Sequence, residues 1–371
     1  IVEESVTLDE VKALVEKYEG KIVGQIIEAG IYLIQVPAGK EKDFIDAIVK
    51  EPKVLDAYPN FQFQQDDSAL IDGWTDTDLS KFTDINGSVK YIILPKSAGG
   101  IFGSTPDKNQ GATHGEIVKY FQTGKLPGSV NKVQCLKNLD CFERFNGHGI
   151  IFGLLEALKE KRGKPYITVN ISLSPGSEQG DPIKSATRQT LYRRHFEEFL
   201  RLLKTKDRAV TKTIIVNSAG NESLNLTQMF KDLASRYDNL DRLILVGASD
   251  ENGNITDYSN YSTNPKDIIY VPVNDKYISG TSFAAPQITY LINKILDEYP
   301  ELAKSPEKLK EILFHELVAA KKGNHYFIAD PYNSETIKNA LAAARDLLGL
   351  EKTKEEPPPV EQTTSSPANP S

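Results

Sequence analysis

Apolar positions along this chain follow two periods. After residue 88, short runs rich in β-branched residues alternate with segments of helical spacing. The runs 89–94, 131–136, 166–173, 213–217 and 242–248 predict buried strands, and 115–123, 149–161, 187–203 and 226–237 predict the helices between them. This alternation predicts an α/β fold built on a doubly wound parallel sheet, with its site outside the carboxyl ends of the strands. From Thr281 to about Leu296, Phe283, Ile288, Leu291, Ile292, Ile295 and Leu296 recur at helical spacing and mark a buried helix. A last helix over 335–348 is expected on the outside of the domain.

The first residues read differently. Val11, Leu14, Val15 and Tyr18 form a helical face, 21–27 and 31–36 predict two strands around Ala29 and Gly30, 44–49 a helix, and 54–63 an extended segment. That order is most of a split βαβ, ferredoxin-like α+β unit, whose first strand is residues 1–3 or lies upstream. At the other end, EKTKEEPPPVEQTTSSPANPS has almost no apolar content and is expected to be a disordered linker or spacer. The expected division is a small domain at 1–65, a linker at 66–88, a large domain at 89–350 and a tail at 351–371.

Composition narrows the partners. With 371 residues, 39% of them hydrophobic, the chain can bury one large core and a smaller one. A net charge of −7, with no basic stripe interleaved by aromatics, argues against nucleic acid. No apolar run reaches membrane-spanning length. The chain starts at Ile1 with no signal-like segment, so any export signal is expected to have been removed or to lie outside this sequence. Cys135 and Cys141 are close enough to be bridged across a turn, or are two thiols; both readings stand. No cysteine or histidine cluster suggests a metal, and no cofactor is expected.

Three polar blocks carry candidate chemistry. In GTSFAAP, Ser282 sits at the start of the buried helix, where unpaired N–H groups and the positive end of the dipole favour an oxyanion. In THGE, His114 precedes a short apolar stretch; in SAGNES, Asn221 follows a predicted strand. A serine nucleophile needs a base in reach, and an amide suits the oxyanion role because it does not compete as a base.

These blocks, in this order, closely resemble the subtilisin-like serine proteases. The resemblance implies His114 as general base, Asn221 as oxyanion donor and Ser282 as nucleophile. It also implies that Ser172, Leu173 and Ser174 form the strand that holds an extended peptide by strand addition. EGKIVGQIIEAGIYLIQVP and EPKVLDAYPNFQF resemble the family's inhibitory propeptide, which packs on the protease and lays its C-terminal strand in the cleft. The implied partners are an extended peptide or protein substrate and the chain's own propeptide domain. The implied location is secreted or cell envelope, and structural calcium stays open.

One family residue is absent. The catalytic aspartate belongs just after the strand 89–94, where this chain has Pro95. Losing that acid alone costs about 3 × 10⁴ in turnover, roughly 6 kcal/mol of barrier. Asp107, Glu116 and Asp72 are candidates to replace it. His148 is expected to serve as a turn or cap residue, and His195, in the charged stretch RRHF, to be solvated. Two functions follow: a serine endopeptidase, or a catalytically degenerate homologue that binds peptide or its own propeptide.

Overall fold

The computed structural model of the chain describes residues 1–3, 5–59, 63–65, 151, 158, 163–175, 185–205, 210–273 and 280–350. The strands expected at 89–94 and 131–136, the helix at 115–123 and the tail 351–371 lie outside the described residues, as does 149–161 except for helical positions at Ile151 and Leu158.

The N-terminal residues form α1 (Leu8–Lys17), β1 (Lys21–Ile26), β2 (Ile31–Gln35) and α2 (Glu41–Ile48). Thr7 starts α1 with a capping box: its hydroxyl accepts from the Glu10 N–H, and the Glu10 carboxylate accepts from the Thr7 N–H. β1 and β2 pair antiparallel, and Val2 bridges antiparallel to Val54 while its N–H donates to the Gly30 carbonyl at 2.9 Å. Where four strands are expected, the described residues therefore give a two-stranded ribbon extended by a single bridge. Val2, Val11, Val15 and Ile48 close a small core of their own.

The larger sheet comprises β4 (Ile167–Ile171), β6 (Thr213–Ser218), β7 (Leu243–Ser249), β8 (Ile268–Pro272), β10 (His325–Phe327) and β9 (Ala320–Lys322), in the order β4-β6-β7-β8-β10-β9. All neighbours are parallel except the β9–β10 hairpin. Side chains alternate strictly between faces. Ile214, Val216, Ile244, Val246, Ile269 and Val271 join one core, with helices α5 (Thr281–Glu298), α6 (Pro306–Leu313) and α7 (Ser334–Leu347). Ile215, Leu243, Leu245, Ile268 and Tyr270 join the other, with α3 (Ser185–Lys204) and α4 (Thr227–Arg236). Both faces are covered, which is why these strands are near-continuous apolar runs.

Two expectations change. The run 166–173 is not one strand: β4 ends at Ile171, Ser172 stands between, and β5 (Leu173–Pro175) leaves the large sheet to pair antiparallel with β3 (Phe63–Gln65). His195 is not solvated but fully buried. Its helix presents Tyr192, Phe196, Phe199 and Leu203 at helical spacing, so His195 falls on the inward stripe while Arg193 and Arg194 fall beside it. The ring packs edge-on to Phe199 at 4.4 Å, with Nε2 3.2 Å from Asn217 Oδ1.

Burial pushes the His195 pKa down to about 3, against a smaller opposing effect of the Asn217 hydrogen bond. Its folded pKa is below the ordinary value, so its contribution to stability is complete above about pH 6.5 and is lost as pH falls towards 3. The cost is about 1.4 kcal/mol per pH unit across that window. Thermal midpoints measured from pH 7 to pH 3 should fall more steeply for the parent chain than for His195→Gln, which keeps an amide for Asn217; equal slopes would refute a buried neutral imidazole.

The N-terminal residues dock on α3. Ile26, Ala29 and Ile31 share a core with Tyr192, Phe196 and Phe199. Around that contact the Tyr58 hydroxyl donates to the Glu198 carboxylate, and Arg194 lies 3.4 Å from Asp56 with its guanidinium 4.3 Å from the centre of the Tyr58 ring. Burial pushes Glu198 up to about 7, so docking brings a carboxyl out of water that favours its protonated form.

Candidate active site

The site forms where α5 begins against the ends of β4 and β6. Gly280 precedes α5 with φ of 125°, a backbone that L side chains rarely adopt, so a residue with a Cβ there would be strained. Its N–H donates to the Tyr258 hydroxyl at 3.0 Å. Thr281 and Ser282 are then the first two residues of α5, both fully buried. The Ser282 hydroxyl thus lies at the positive end of the helix dipole.

Ser282 and Ser172 are joined twice. Ser282 Oγ donates to the Ser172 carbonyl at 3.2 Å, and Ser172 Oγ donates to the Ser282 carbonyl at 2.8 Å. The second bond has its origin in the sequence. Pro286 lies inside α5, four residues after Ser282, and has no N–H to give the Ser282 carbonyl. The Ser172 hydroxyl takes that place. It is itself held by Asn170 Nδ2 at 3.0 Å, and Asn170 Oδ1 accepts from Thr289 at 3.2 Å.

Asn221 comes to the same helix start from the turn after β6. Its Oδ1 accepts from both the backbone N–H of Thr281, at 2.9 Å, and the Thr281 hydroxyl, at 3.0 Å. Thr281 Oγ1 in turn accepts from the Gly220 N–H at 3.1 Å. With the oxygen held by two donors, the amide nitrogen is directed away from Thr281. Asn221 Nδ2 is buried and has no hydrogen-bond partner among the described residues. An unpaired buried donor costs about 1–3 kcal/mol, a cost that an incoming oxygen would remove.

The strand expected to hold peptide, β5, is paired with β3. In the β3–β5 ladder Phe63 is opposite Pro175, Gln64 opposite Ser174 and Gln65 opposite Leu173. The ladder ends one residue from Ser172, whose carbonyl accepts from Ser282.

Of the residues expected to act, the described structure brings together Ser282, Asn221 and Ser172, with the backbone of Leu173 and Ser174 in β5. His114 lies outside the described residues, as do Pro95, Asp72, Asp107, Glu116, His148, Cys135 and Cys141. Sequence reasoning missed Thr281, which orients the amide, and Asn260 and Tyr258, which hold the surrounding turns. The adjacency of Thr281 and Ser282 was the one available signal for the first; nothing in spacing pointed to the others. Among the described residues no group of three or more acidic, histidine or cysteine side chains is placed to hold a metal, and no helix is long and apolar enough to cross a membrane.

The sequence profile of the Subtilase family matches residues 165–330. Similar solved structures include the epidermin leader peptide processing serine protease EpiP from Staphylococcus aureus, 17% identical, covering 91% of this chain and 96% of that one with a TM-score of 0.49. The nisin leader peptidase NisP from Lactococcus lactis is 20% identical over 53% of this chain, with a TM-score of 0.33; this chain spans 62% of the NisP chain. No curated protein is significantly similar in sequence.

Proposed function

We propose that this chain, whose residues 165–330 match the Subtilase family profile, is a serine endopeptidase of that family with Ser282 as nucleophile. Ser282 Oγ attacks the carbonyl carbon of an extended peptide as His114 takes its proton. The carbonyl oxygen, now negative, is held by Asn221 Nδ2 and the Ser282 N–H. His114 then returns the proton to the leaving amine, and water repeats the sequence on the acyl-enzyme. The observation that carries this reading is the buried amide nitrogen of Asn221, which has no hydrogen-bond partner among the described residues while its oxygen is held by Thr281, next to Ser282 at the helix start.

The N-terminal residues fit a propeptide. They are joined to α3 by an apolar contact, and their last described strand, β3, adds antiparallel to β5 next to Ser172. That is the mode in which an extended substrate would bind, and it supports residues 1–65 as an inhibitory unit. Export to the envelope or beyond belongs to the same reading. Pro95, standing where the family has its acid, favours a second reading, in which the cleft binds peptide or its own N-terminal strand without turnover.

A fluorophosphonate probe separates the two. Labelling of the full chain that disappears in both Ser282→Ala and His114→Ala is the result expected of an endopeptidase. Absence of label, persisting after residues 1–65 are removed by limited proteolysis, would leave the binding role.

A further inference from the structure

The turn that carries Asn221 is held on its far side by a polar cluster of two buried residues, Asn260 and Tyr192, and two half-buried ones, Glu222 and Arg188. Asn260, fully buried, takes four of the turn's backbone groups. Its Oδ1 accepts from the N–H of Glu222 at 3.1 Å and of Leu224 at 2.8 Å, its Nδ2 donates to the Ala219 carbonyl at 2.7 Å, and its own N–H donates to the Gly220 carbonyl at 2.9 Å. Asn260 Nδ2 also donates to Glu222 Oε2 at 3.0 Å. The same carboxylate oxygen accepts from the Tyr192 hydroxyl at 2.8 Å, and Oε1 lies 3.2 Å from Arg188. Arg188 and Tyr192 are one helical turn apart on α3, the helix that also receives the N-terminal residues.

The cluster touches the turn directly. A Cβ on Gly220 would lie 1.8 Å from the Tyr192 hydroxyl, 2.5 Å from Asn260 Nδ2 and 2.7 Å from a Glu222 carboxylate oxygen. Gly220 also has φ of 97°, so only glycine gives both the backbone and the space. Thr281 holds the opposite side of the same turn through the Gly220 N–H and Asn221 Oδ1. Asn221 is thereby fixed between a helix start and a charged brace.

We infer that Glu222, braced by Arg188, Tyr192 and Asn260, is a positioning residue that keeps the Asn221 amide aimed at the oxyanion, so that α3 sets the transition-state geometry without touching substrate. This rests on the role proposed for Asn221. Its physical basis is that a donor must be within a fraction of an ångström of the developing charge, and misplacement by about 1 Å costs up to about 10²-fold. Glu222→Gln keeps the shape but replaces one of two acceptor oxygens by an NH2 group, which then faces either Arg188 or the pair Tyr192 and Asn260 as a donor against donors, and this tilts the turn.

The test is a double-mutant cycle on the full chain, read as kcat and KM on a peptide anilide. Glu222→Gln should lower kcat about 10-fold with KM little changed. In the Asn221→Ala background the same substitution should change kcat by less than about twofold, because the amide it aims is gone. Tyr192→Phe, which removes one hydroxyl and leaves the ring against Phe196, is run through the same cycle and carries the test should Glu222→Gln not fold. An equal fall in both backgrounds, or none in either, overturns the inference. If Asn221→Ala alone leaves kcat unchanged, the oxyanion role itself fails and takes this inference with it.

Discussion

Ser282→Ala is expected to lower peptide hydrolysis by the full chain on the order of 10⁶-fold where Asp107, Glu116 or Asp72 supplies the acid, and on the order of 10²-fold where none does, because losses within a triad are not additive, while leaving the fold in place. The two halves of that expectation come from different atoms. The hydroxyl is the proposed nucleophile, and the neighbouring hydroxyl of Thr281 is tied to Asn221 Oδ1, so no covalent route remains once the serine oxygen is removed. Structurally its loss is small. Among the described residues Ser282 Oγ makes one hydrogen bond, to the Ser172 carbonyl, whereas the bond that replaces the N–H missing from Pro286 uses the Ser282 backbone carbonyl and survives. Alanine is also the best helix former at that position. The change in stability should be within about 1 kcal/mol. Initial rates on a peptide anilide and a thermal melt measure both; a variant retaining a tenth of the parent rate would remove Ser282 from the chemistry.

Asn221→Ala is the second large effect, expected to lower kcat by about 10²–10³-fold with KM nearly unchanged. An oxyanion donor acts only when the carbonyl oxygen acquires charge, so its removal raises the barrier more than it weakens ground-state binding. Stability should again change little, for two terms oppose. Thr281 loses the acceptor for its N–H and hydroxyl, which costs about 1–2 kcal/mol, but a buried donor without a partner is deleted at the same time. A fall in kcat with an unchanged melting temperature is therefore the signature. A rise in KM at constant kcat would instead mean that Asn221 holds substrate rather than the transition state.

What the sequence disclosed depends on how local its cause is. The helix beginning at Thr281 and the strands at 213–218 and 243–249 were readable, because each buries a continuous apolar set whose period needs no knowledge of its neighbours. β8 escaped notice: five residues ending in Pro272 make too short a run to distinguish from a loop. His195 was misjudged because the arginines beside it dominate the local composition, while the apolar stripe that decides its burial is spread over three turns of α3. The pairing of β3 with β5 joins residues more than a hundred positions apart and leaves no trace in periodicity. The site was legible in part. Ser282 and Asn221 could be named from their blocks, but Thr281, Asn260 and Glu222 act through polar contacts between distant turns, which spacing does not encode.

The β3–β5 ladder has a consequence for any peptide arriving from solution. An intrachain strand competes at an effective concentration fixed by its covalent connection, and it stays in place as long as the chain is intact. With β5 as the proposed peptide-binding strand, a visiting peptide binds only during the fraction of time that β5 is vacant, and its apparent dissociation constant is the intrinsic one divided by that fraction. Raising the peptide concentration can overcome this competition, but diluting the protein cannot. On the proposed role, peptide access to β5 is governed by how often three backbone pairs, at Phe63, Gln64 and Gln65, come apart.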